Sequence, residues 1–315
     1  MPSFLVVGAT GNTGGAVLQH LAEVLPQSDK FTKYRIIGLT RNTDGTKAQE
    51  LAKLPRVEMI AKDWTLIDSD WLREHKVERL YIASHIGVSA FTDESLFFNY
   101  ALEAGVKYAV KLSTTATNVR PTTPVYYARN HWAVEKMLEQ LEFNALQWTS
   151  LQPNVFISTL AGPAKDWIST YKKDGTKKPY QMIPDADAVI APIDANEVGI
   201  IAGKLLALQD VTPHASQKYC LNGPQNASGK DIIKVVEKCA GTTVDNVTYR
   251  STFIVDFARK AGTPENVLGP LGKAVKTRPR DEGSIENMPT SPPIFKLHTI
   301  QNGVLETLEK QLSMV

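Results

Sequence analysis

The feature that most constrains this chain of 315 residues is a glycine-rich turn close to its first residue. An apolar run at 4–7 leads into Gly8-Ala9-Thr10-Gly11-Asn12-Thr13-Gly14, and the pattern then predicts a helix over 16–24. In such a strand–turn–helix, Gly8 allows a sharp turn, Gly11 lets the backbone approach an anion, and Gly14 lets the helix pack on the strand. The free N–H groups at the helix start then favour a pyrophosphate.

The spacing of these glycines, GxxGxxG, is a weak signal by itself, because GxGxxG is the commoner form and an ordinary turn is the alternative. Its position between a buried strand and a helix favours a dinucleotide-binding turn. The residues expected to contact the dinucleotide here are Gly8, Thr10, Gly11, Asn12, Thr13 and Gly14.

Composition and charge exclude several classes of function. A formal net charge of +2 gives no basis for a nucleic-acid partner. No apolar run approaches the ~18 residues of a membrane span, and no basic segment followed by a long apolar stretch marks a secretory signal. We therefore expect a cytoplasmic protein without a membrane partner. Cys220 and Cys239 show no metal-ligand spacing, which predicts reduced, buried thiols and no metal site.

The first half of the chain alternates between apolar strands and helices. Strands are predicted over 34–40, 57–61, 79–84, 108–113 and 147–152, and helices over 47–54, 68–74, 94–104 and 125–141. This alternation predicts an α/β fold with a doubly wound parallel sheet covered on both faces. Ligands of such sheets bind at the carboxyl ends of the strands. The polar and turn residues at those ends are Arg41, Asp63, Ser84, His85, Ser113 and Pro153, with Asn154 and Val155 next to Pro153.

The pattern loosens after residue 153. Residues 162–190 are rich in Lys, Gly, Pro and Asp, which predicts a mobile flap, and the lysine pairs at 172–173 and 177–178 form either a solvated loop or a basic mouth for an anionic substrate. A further strand and helix are predicted over 190–193 and 195–208, and a strand over 218–222. Helices at 228–240 and 252–260, with the proline-rich segment 289–293, are expected to form a smaller lobe. The predicted domains are 1–153 with about 186–222, and 154–185 with 223–315.

The end of the second strand predicts which nicotinamide cofactor fits. An acidic residue usually binds the ribose 2′-hydroxyl of NAD at this point, whereas this chain has Leu39-Thr40-Arg41-Asn42. An arginine matches a 2′-phosphate in charge and geometry, so NADPH is preferred over NADH, with Thr13 and Lys47 as further contacts. The alternative is that Arg41 is an ordinary surface residue. Asp63 either accepts from the adenine amino group or caps a turn.

Candidate chemistry lies on the helix predicted over 125–141. Tyr127, His131 and Glu135 are spaced i, i+4, i+8 and so share one helical stripe. Glu135 is placed to hold or charge His131. With an unperturbed pKa of ~6.5, His131 is suited to polarise Tyr127 or to donate a proton. The alternative is ordinary packing beside the apolar face of the same helix. His85 either lines the cofactor cleft or packs in its loop.

Taken together, the turn at 8–14, Arg41, the Asp63-Trp64 pair and the helix from His131 resemble the NmrA-like family of atypical short-chain dehydrogenases. The segment Asp194-Ala195-Asn196-Glu197-Val198-Gly199 is similar to the family's second half. The resemblance spans roughly residues 1–240. It implies a Rossmann-type domain that prefers NADP(H) and a small C-terminal substrate lobe, and residues 128–138 are similar to the NADPH-dependent quinone oxidoreductase branch.

The resemblance also shows a departure from typical short-chain dehydrogenases. Those enzymes use Tyr-x-x-x-Lys with a serine from the fifth strand, whereas this chain offers Tyr127-x-x-x-His131 and Ser113. A lysine cation lowers the pKa of the tyrosine, and neutral histidine does not, so alcohol–ketone chemistry is disfavoured. Quinone reduction needs a weaker proton donor, because the product is a phenolate-like anion whose conjugate acid has a pKa near the ~10 of tyrosine.

The expectation is an NADPH-dependent reductase of a quinone-like or conjugated carbonyl small molecule, with His131 and Tyr127 at the chemistry and Ser84 and 153–155 framing the nicotinamide. Two alternatives remain open. One is a non-catalytic NADP(H)-binding redox sensor with a protein partner, and the other is a metabolite-specific biosynthetic tailoring enzyme.

Overall fold

The computed structural model describes residues 1–277 and 279–315. Its strands are β1 (Ser3–Val7), β2 (Arg35–Thr40), β3 (Val57–Ala61), β4 (Val77–Ile82), β5 (Tyr108–Leu112), β6 (Gln147–Pro153), β7 (Tyr180–Gln181), β8 (Gln217–Leu221) and β9 (Val247–Thr248). Its helices are α1 (Gly14–Val24), α2 (Thr46–Leu51), α3 (Ser69–Glu74), α4 (Ala90–Glu103), α5 (Tyr126–Leu138), α6 (Ile157–Asp174), α7 (Ala195–Ala207), α8 (Gly229–Ala240), α9 (Phe253–Lys260), α10 (Glu265–Thr277), α11 (Pro292–Leu297) and α12 (Val304–Leu312).

Seven parallel strands form the main sheet in the order β3-β2-β1-β4-β5-β6-β8. This parallel sheet confirms the predicted α/β fold. The strand order reverses between β1 and β4, and this reversal creates the crevice in which such sheets bind ligands. Side chains alternate between two apolar layers. Phe4, Val6 and Tyr81 pack on one face with α1 and α7, while Leu5, Val7 and Ile82 pack on the other with α4 and α5.

Three residues of the segment at 194–199 have structural roles at the start of α7. Asp194 caps the helix by accepting from the Asn196 N–H at 3.0 Å, a position at which aspartate is favoured. A Cβ at Gly199 would lie 2.4 Å from the Thr13 carbonyl oxygen, so glycine is required where α7 crosses α1. Glu197 is buried and binds His298 and the backbone N–H of Gln301. This segment therefore fixes the C-terminal residues to the helix that begins at the glycine-rich turn.

Several predicted elements beyond residue 153 are wrong. Residues 157–174 are the long helix α6, which overturns the flap predicted over 162–190 as far as Asp174. Leu160, Trp167 and Ile168 recur at helical spacing and are buried, and this packing overrides the unfavourable Gly162 and Pro163 within the helix. The strand predicted over 190–193 is reduced to isolated bridges. The sequence did not predict α10 or α12.

The smaller lobe has its own apolar core. Trp167 and Ile168 of α6 pack with Ile232 and Val236 of α8 and with Leu308 of α12. Both cysteines of the chain are unpaired and half-buried, rather than fully buried as expected. Within residues 1–277 and 279–315, none of the helices has the length and apolar character to cross a bilayer.

Candidate functional site

The glycine-rich turn lies between β1 and α1, at the carboxyl edge of the sheet. Gly8 has a φ of +79°, which glycine adopts without strain. A Cβ at Gly14 would lie 2.2 Å from the Gly8 carbonyl oxygen and 2.8 Å from the Ala9 Cα, so only glycine lets α1 start this close to the strand. Gly11 and Asn12 are exposed at the tip. The turn therefore has the shape of a cradle for an anionic group at the start of a helix.

The side chain of Thr13 has a structural role instead of the predicted contact with a 2′-phosphate. Its hydroxyl is buried and lies 2.6 Å from the Tyr81 hydroxyl in the core, so its backbone N–H is what remains for an anion. Thr10 is half-buried, with its Oγ1 3.5 Å from the Thr40 Oγ1. The Lys47 ammonium donates to the Gly11 carbonyl at 2.8 Å, which places a positive charge beside the turn.

Two residues predicted to choose the cofactor follow β2 and β3. Arg41 is exposed, and its guanidinium makes no hydrogen bond or ion pair with the residues that the structure describes. Asp63 accepts from the Thr65 N–H at 3.0 Å and from the Thr65 hydroxyl at 2.8 Å, and these bonds lower the pKa of its carboxyl. Of the two interpretations offered for Asp63, the structure shows the turn cap.

A cavity of about 580 Å³ opens at the carboxyl ends of β5 and β6. The cavity lies between the main sheet and the smaller lobe, and its apolar walls come from β6, α6, α9 and α10. The predicted residues that line it are Ser113, Tyr127, Pro153, Asn154 and Val155. The lysines at 172–173 and 177–178 are not among its described lining residues, and the Lys177 ammonium instead pairs with Asp245 at 3.0 Å on the surface, so the solvated interpretation fits these lysines.

Two polar side chains in the cavity wall differ in what they offer a ligand. The Asn154 amide nitrogen donates to Asn222 Oδ1 and to the Gly283 carbonyl, both at 2.8 Å, so this side chain joins the sheet to the lobe. The amide nitrogen of Asn154 is therefore already occupied and does not serve the predicted binding of the cofactor. Ser113 is only 6% exposed, and within the described residues its hydroxyl has no hydrogen-bond partner. A buried hydroxyl of this kind favours a ligand that completes its bonding.

The structure also contains a buried polar cluster that the sequence interpretation missed. The side chains of Lys111 on β5 and Glu94 on α4 are 1% and 2% exposed, and the two form an ion pair at 2.8 Å. The Lys111 Nζ also lies 3.0 Å from His131 Nδ1 and donates to the Leu112 carbonyl at 3.2 Å. The second oxygen of Glu94 accepts from the Ser84 hydroxyl at 2.8 Å. We call Ser84, Glu94, Lys111 and His131 the Lys111 cluster.

His131 is held in its neutral form by its surroundings. Burial, and next the Lys111 cation, lower the pKa of His131 well below its usual 6.5. The expected partnership with Glu135 is wrong, because Glu135 is buried on the β6 side, where it accepts from the Ser150 hydroxyl at 2.7 Å and from the Gln152 amide. Each residue of an α-helix is rotated by about 100° around the axis, so residues four apart are offset by about 40°. His131 accordingly contacts β5, whereas Glu135 contacts β6.

The remaining predicted residues are placed as follows. His85 is exposed, where its Nε2 lies 2.9 Å from Asp93 and its Nδ1 accepts from the Gly87 N–H, so it packs in its loop. Ser84 is half-buried and points its hydroxyl to Glu94. The signal that could have found the cluster is the lysine itself, a charged residue within an otherwise apolar predicted strand.

Together, the parallel sheet, the reversal of strand order and the glycine turn define a Rossmann-type fold. The family model described as the NmrA-like family matches residues 3–285. The chain therefore belongs to the NmrA-like family, which confirms the resemblance read from the sequence.

Individual relatives are distant but are similar over nearly the full length. The NAD(P)H azoreductase of Xenophilus azovorans is 24% identical over 295 residues, which cover 90% of this chain and 91% of that protein. The NADPH-dependent quinone oxidoreductase QOR2 of Escherichia coli, solved with NADPH, has a TM-score of 0.67 at 22% identity, covering 98% of this chain and 99% of the other. The triphenylmethane reductase of Citrobacter sp., solved with NADP(H), has a TM-score of 0.67 at 20% identity, with coverage of 98% and 99%.

Proposed function

We propose that this protein is an NADPH-dependent reductase that transfers hydride to a quinone-like or conjugated carbonyl small molecule. The observation that carries the proposal is the largely apolar cavity at the carboxyl ends of β5 and β6, the edge of the sheet at which folds of this kind bind their ligands. Its volume, about 580 Å³, is within the range of small-molecule sites. The names of the relatives, which are reductases of azo compounds, quinones and dyes that use NAD(P)H or NADPH, support the same class of reaction.

The proposed binding of NADPH uses groups along one edge of the sheet. The turn at 8–14 holds the pyrophosphate through backbone N–H groups and the helix dipole. Arg41, which is exposed at the end of β2, binds the 2′-phosphate as a bidentate donor. Bound NADPH supplies the hydride, and Ser84 and Pro153 lie at strand ends on the side of the crevice proposed for the nicotinamide.

The proposed chemistry needs little from the protein beyond positioning. Walls of α9 and α10 exclude water and orient a flat acceptor, which accounts for most of the rate gain. Ser113, whose buried hydroxyl lacks a partner among the described residues, offers a hydrogen bond to the acceptor oxygen, and Tyr127 lines the same cavity. His131 stays neutral and acts as a weak donor, which is sufficient because a quinol oxygen is only about as basic as a tyrosinate.

The test is steady-state oxidation of NADPH with and without a simple para-quinone, with the enzyme-free rate subtracted. Ala274 of α10 lines the cavity, so Ala274→Trp is expected to raise KM for the quinone by about tenfold, with the affinity for NADPH unchanged. Ala261 is exposed after α9, and Ala261→Trp is the matched control that leaves both values unchanged. Protein that binds NADPH but shows no quinone-dependent turnover would contradict the proposal and favour a sensor.

A further inference from the structure

The Lys111 cluster determines which nitrogen of His131 carries the proton. The Lys111 Nζ lies 3.0 Å from the Nδ1 of His131. An ammonium group has three donors and no acceptor, so the Nδ1 that faces it must be unprotonated. A neutral imidazole with an unprotonated Nδ1 carries its proton on Nε2.

The rest of the cluster holds the Lys111 ammonium in place. Here Glu94 supplies the opposite charge at 2.8 Å, and Ser84 holds the second oxygen of Glu94. The Lys111 ammonium has two hydrogen-bond partners, the Leu112 carbonyl and His131 Nδ1, in addition to the ion pair with Glu94, and these contacts fix its position.

Two near neighbours of the cluster in the sequence lie in the cavity wall. Ser113 follows Lys111 by two positions, so both project to the same face of the sheet, and Tyr127 precedes His131 by one helical turn. Ser113 and Tyr127 both line the cavity. The charged groups around His131 are Lys111 on β5, Glu94 on α4 and Glu135 on its own helix, and the Glu135 carboxylate is directed to Ser150 and Gln152.

We propose that Lys111 is a positioning residue, which with Glu94 fixes His131 as the neutral tautomer protonated on Nε2 and so presents the acceptor with a hydrogen-bond donor. The assignment of this donor to the acceptor rests on the proposed reductase function, whereas the tautomer itself does not. Lys111 on β5 thus differs from the helix lysine of Tyr-x-x-x-Lys, which this chain lacks. The helix lysine lowers the pKa of a tyrosine, whereas Lys111 determines which nitrogen of a histidine carries the proton. The competing interpretation is a buried ion pair that only joins α4 to β5.

The first test is long-range nitrogen–proton NMR of the ¹⁵N-histidine-labelled protein, with His131 assigned from the spectrum of His131→Asn. The expected result is a single neutral form with a protonated Nε2 and an unprotonated Nδ1. A protonated Nδ1 at neutral pH would overturn the proposal. This readout is independent of any enzymatic activity, so it also decides the tautomer if the reductase assay fails.

The second test asks whether Lys111 acts through His131. In Glu94→Gln/Lys111→Met both charges are removed together, so no unpaired buried charge remains. His131→Asn removes the Nε2–H and leaves a side-chain oxygen as a partner for Lys111. We expect kcat for quinone reduction to fall by at least about tenfold in each, a lower bound because water can also deliver the proton. The variant that combines all three substitutions should match His131→Asn within about twofold, since residues that act as a unit are not additive.

The control is Lys107→Met, which removes an exposed lysine that pairs with Glu78 at 2.8 Å just before the same strand. Its kcat is expected to be unchanged. Two results would overturn the positioning role: a kcat of Glu94→Gln/Lys111→Met within about twofold of the native value, or losses that multiply in the combined variant. If the double variant does not fold, the NMR result on the native chain decides the tautomer.

Discussion

The strongest energetic prediction concerns Lys111→Met, which leaves Glu94 buried without its cation. The pair is 1% and 2% exposed at 2.8 Å, and breaking a buried pair from one side costs about 3–5 kcal/mol. With an unfolding entropy of about 2.1 cal/mol/K per residue, the 315 residues give about 0.66 kcal/mol/K. The expected fall in Tm is therefore about 5–8 °C, measured by calorimetry at neutral pH.

Matched variants separate charge from packing in this prediction. Glu94→Gln/Lys111→Met has no buried charge and keeps similar side-chain volumes, so its Tm is expected to lie within about 2 °C of the native value. Lys107→Met, at an exposed pair, should cost less than about 1 kcal/mol. A single variant as stable as the double variant would refute the reasoning.

Three further predictions follow from the site. Arg41→Ala is expected to weaken NADPH binding by about 10- to 100-fold, the loss of a charge-assisted contact, and to leave NADH binding unchanged by calorimetric titration; equal losses for both cofactors would refute the 2′-phosphate assignment. Gly14→Ala places a Cβ 2.2 Å from the Gly8 carbonyl oxygen, so it should cost about 1–3 kcal/mol of stability and abolish NADPH binding, and retained binding would contradict the cradle. The pKa of His131 is lowered well below 6.5 by burial and Lys111. As the pH falls below about 6.5, the imidazole of His131 is therefore protonated in the unfolded chain while it stays neutral in the folded protein. The free energy of unfolding should fall in this range by up to about 1.4 kcal/mol per pH unit. In His131→Asn this slope should be reduced by the contribution of one proton, and an identical slope would show that folding does not lower the pKa of His131.

Local sequence signals were sufficient for the sheet and the turn. Apolar strands and glycine spacing are decided within a few residues, and the structure has β1 and α1 where these signals lie. The helix α6 was missed because Pro163 and Gly162 are unfavourable in isolation, while the buried contacts of Trp167 that outweigh them come from distant parts of the chain.

The candidate site was predictable only in part, for a related reason. Strand ends were enough to place Ser113 and Pro153 in the cavity wall. The partner of His131 was assigned to Glu135 from helical spacing, yet its actual partner is Lys111, 20 residues earlier on β5. Which helix packs on which strand is determined by the tertiary structure. The contact between α5 and β5 therefore cannot be predicted from the spacing of apolar residues within either element.

The central claim, hydride transfer from NADPH to a quinone-like acceptor in this cavity, is tested most directly by a single-turnover measurement. The protein saturated with NADPH is mixed with a para-quinone, and the loss of nicotinamide absorbance is followed with protium and then with deuterium at the transferred position. The account predicts a decay that saturates with quinone, slows with deuterium, and needs higher quinone concentrations in Ala274→Trp. Bound NADPH whose absorbance decays no faster with quinone than in the enzyme-free mixture would contradict it.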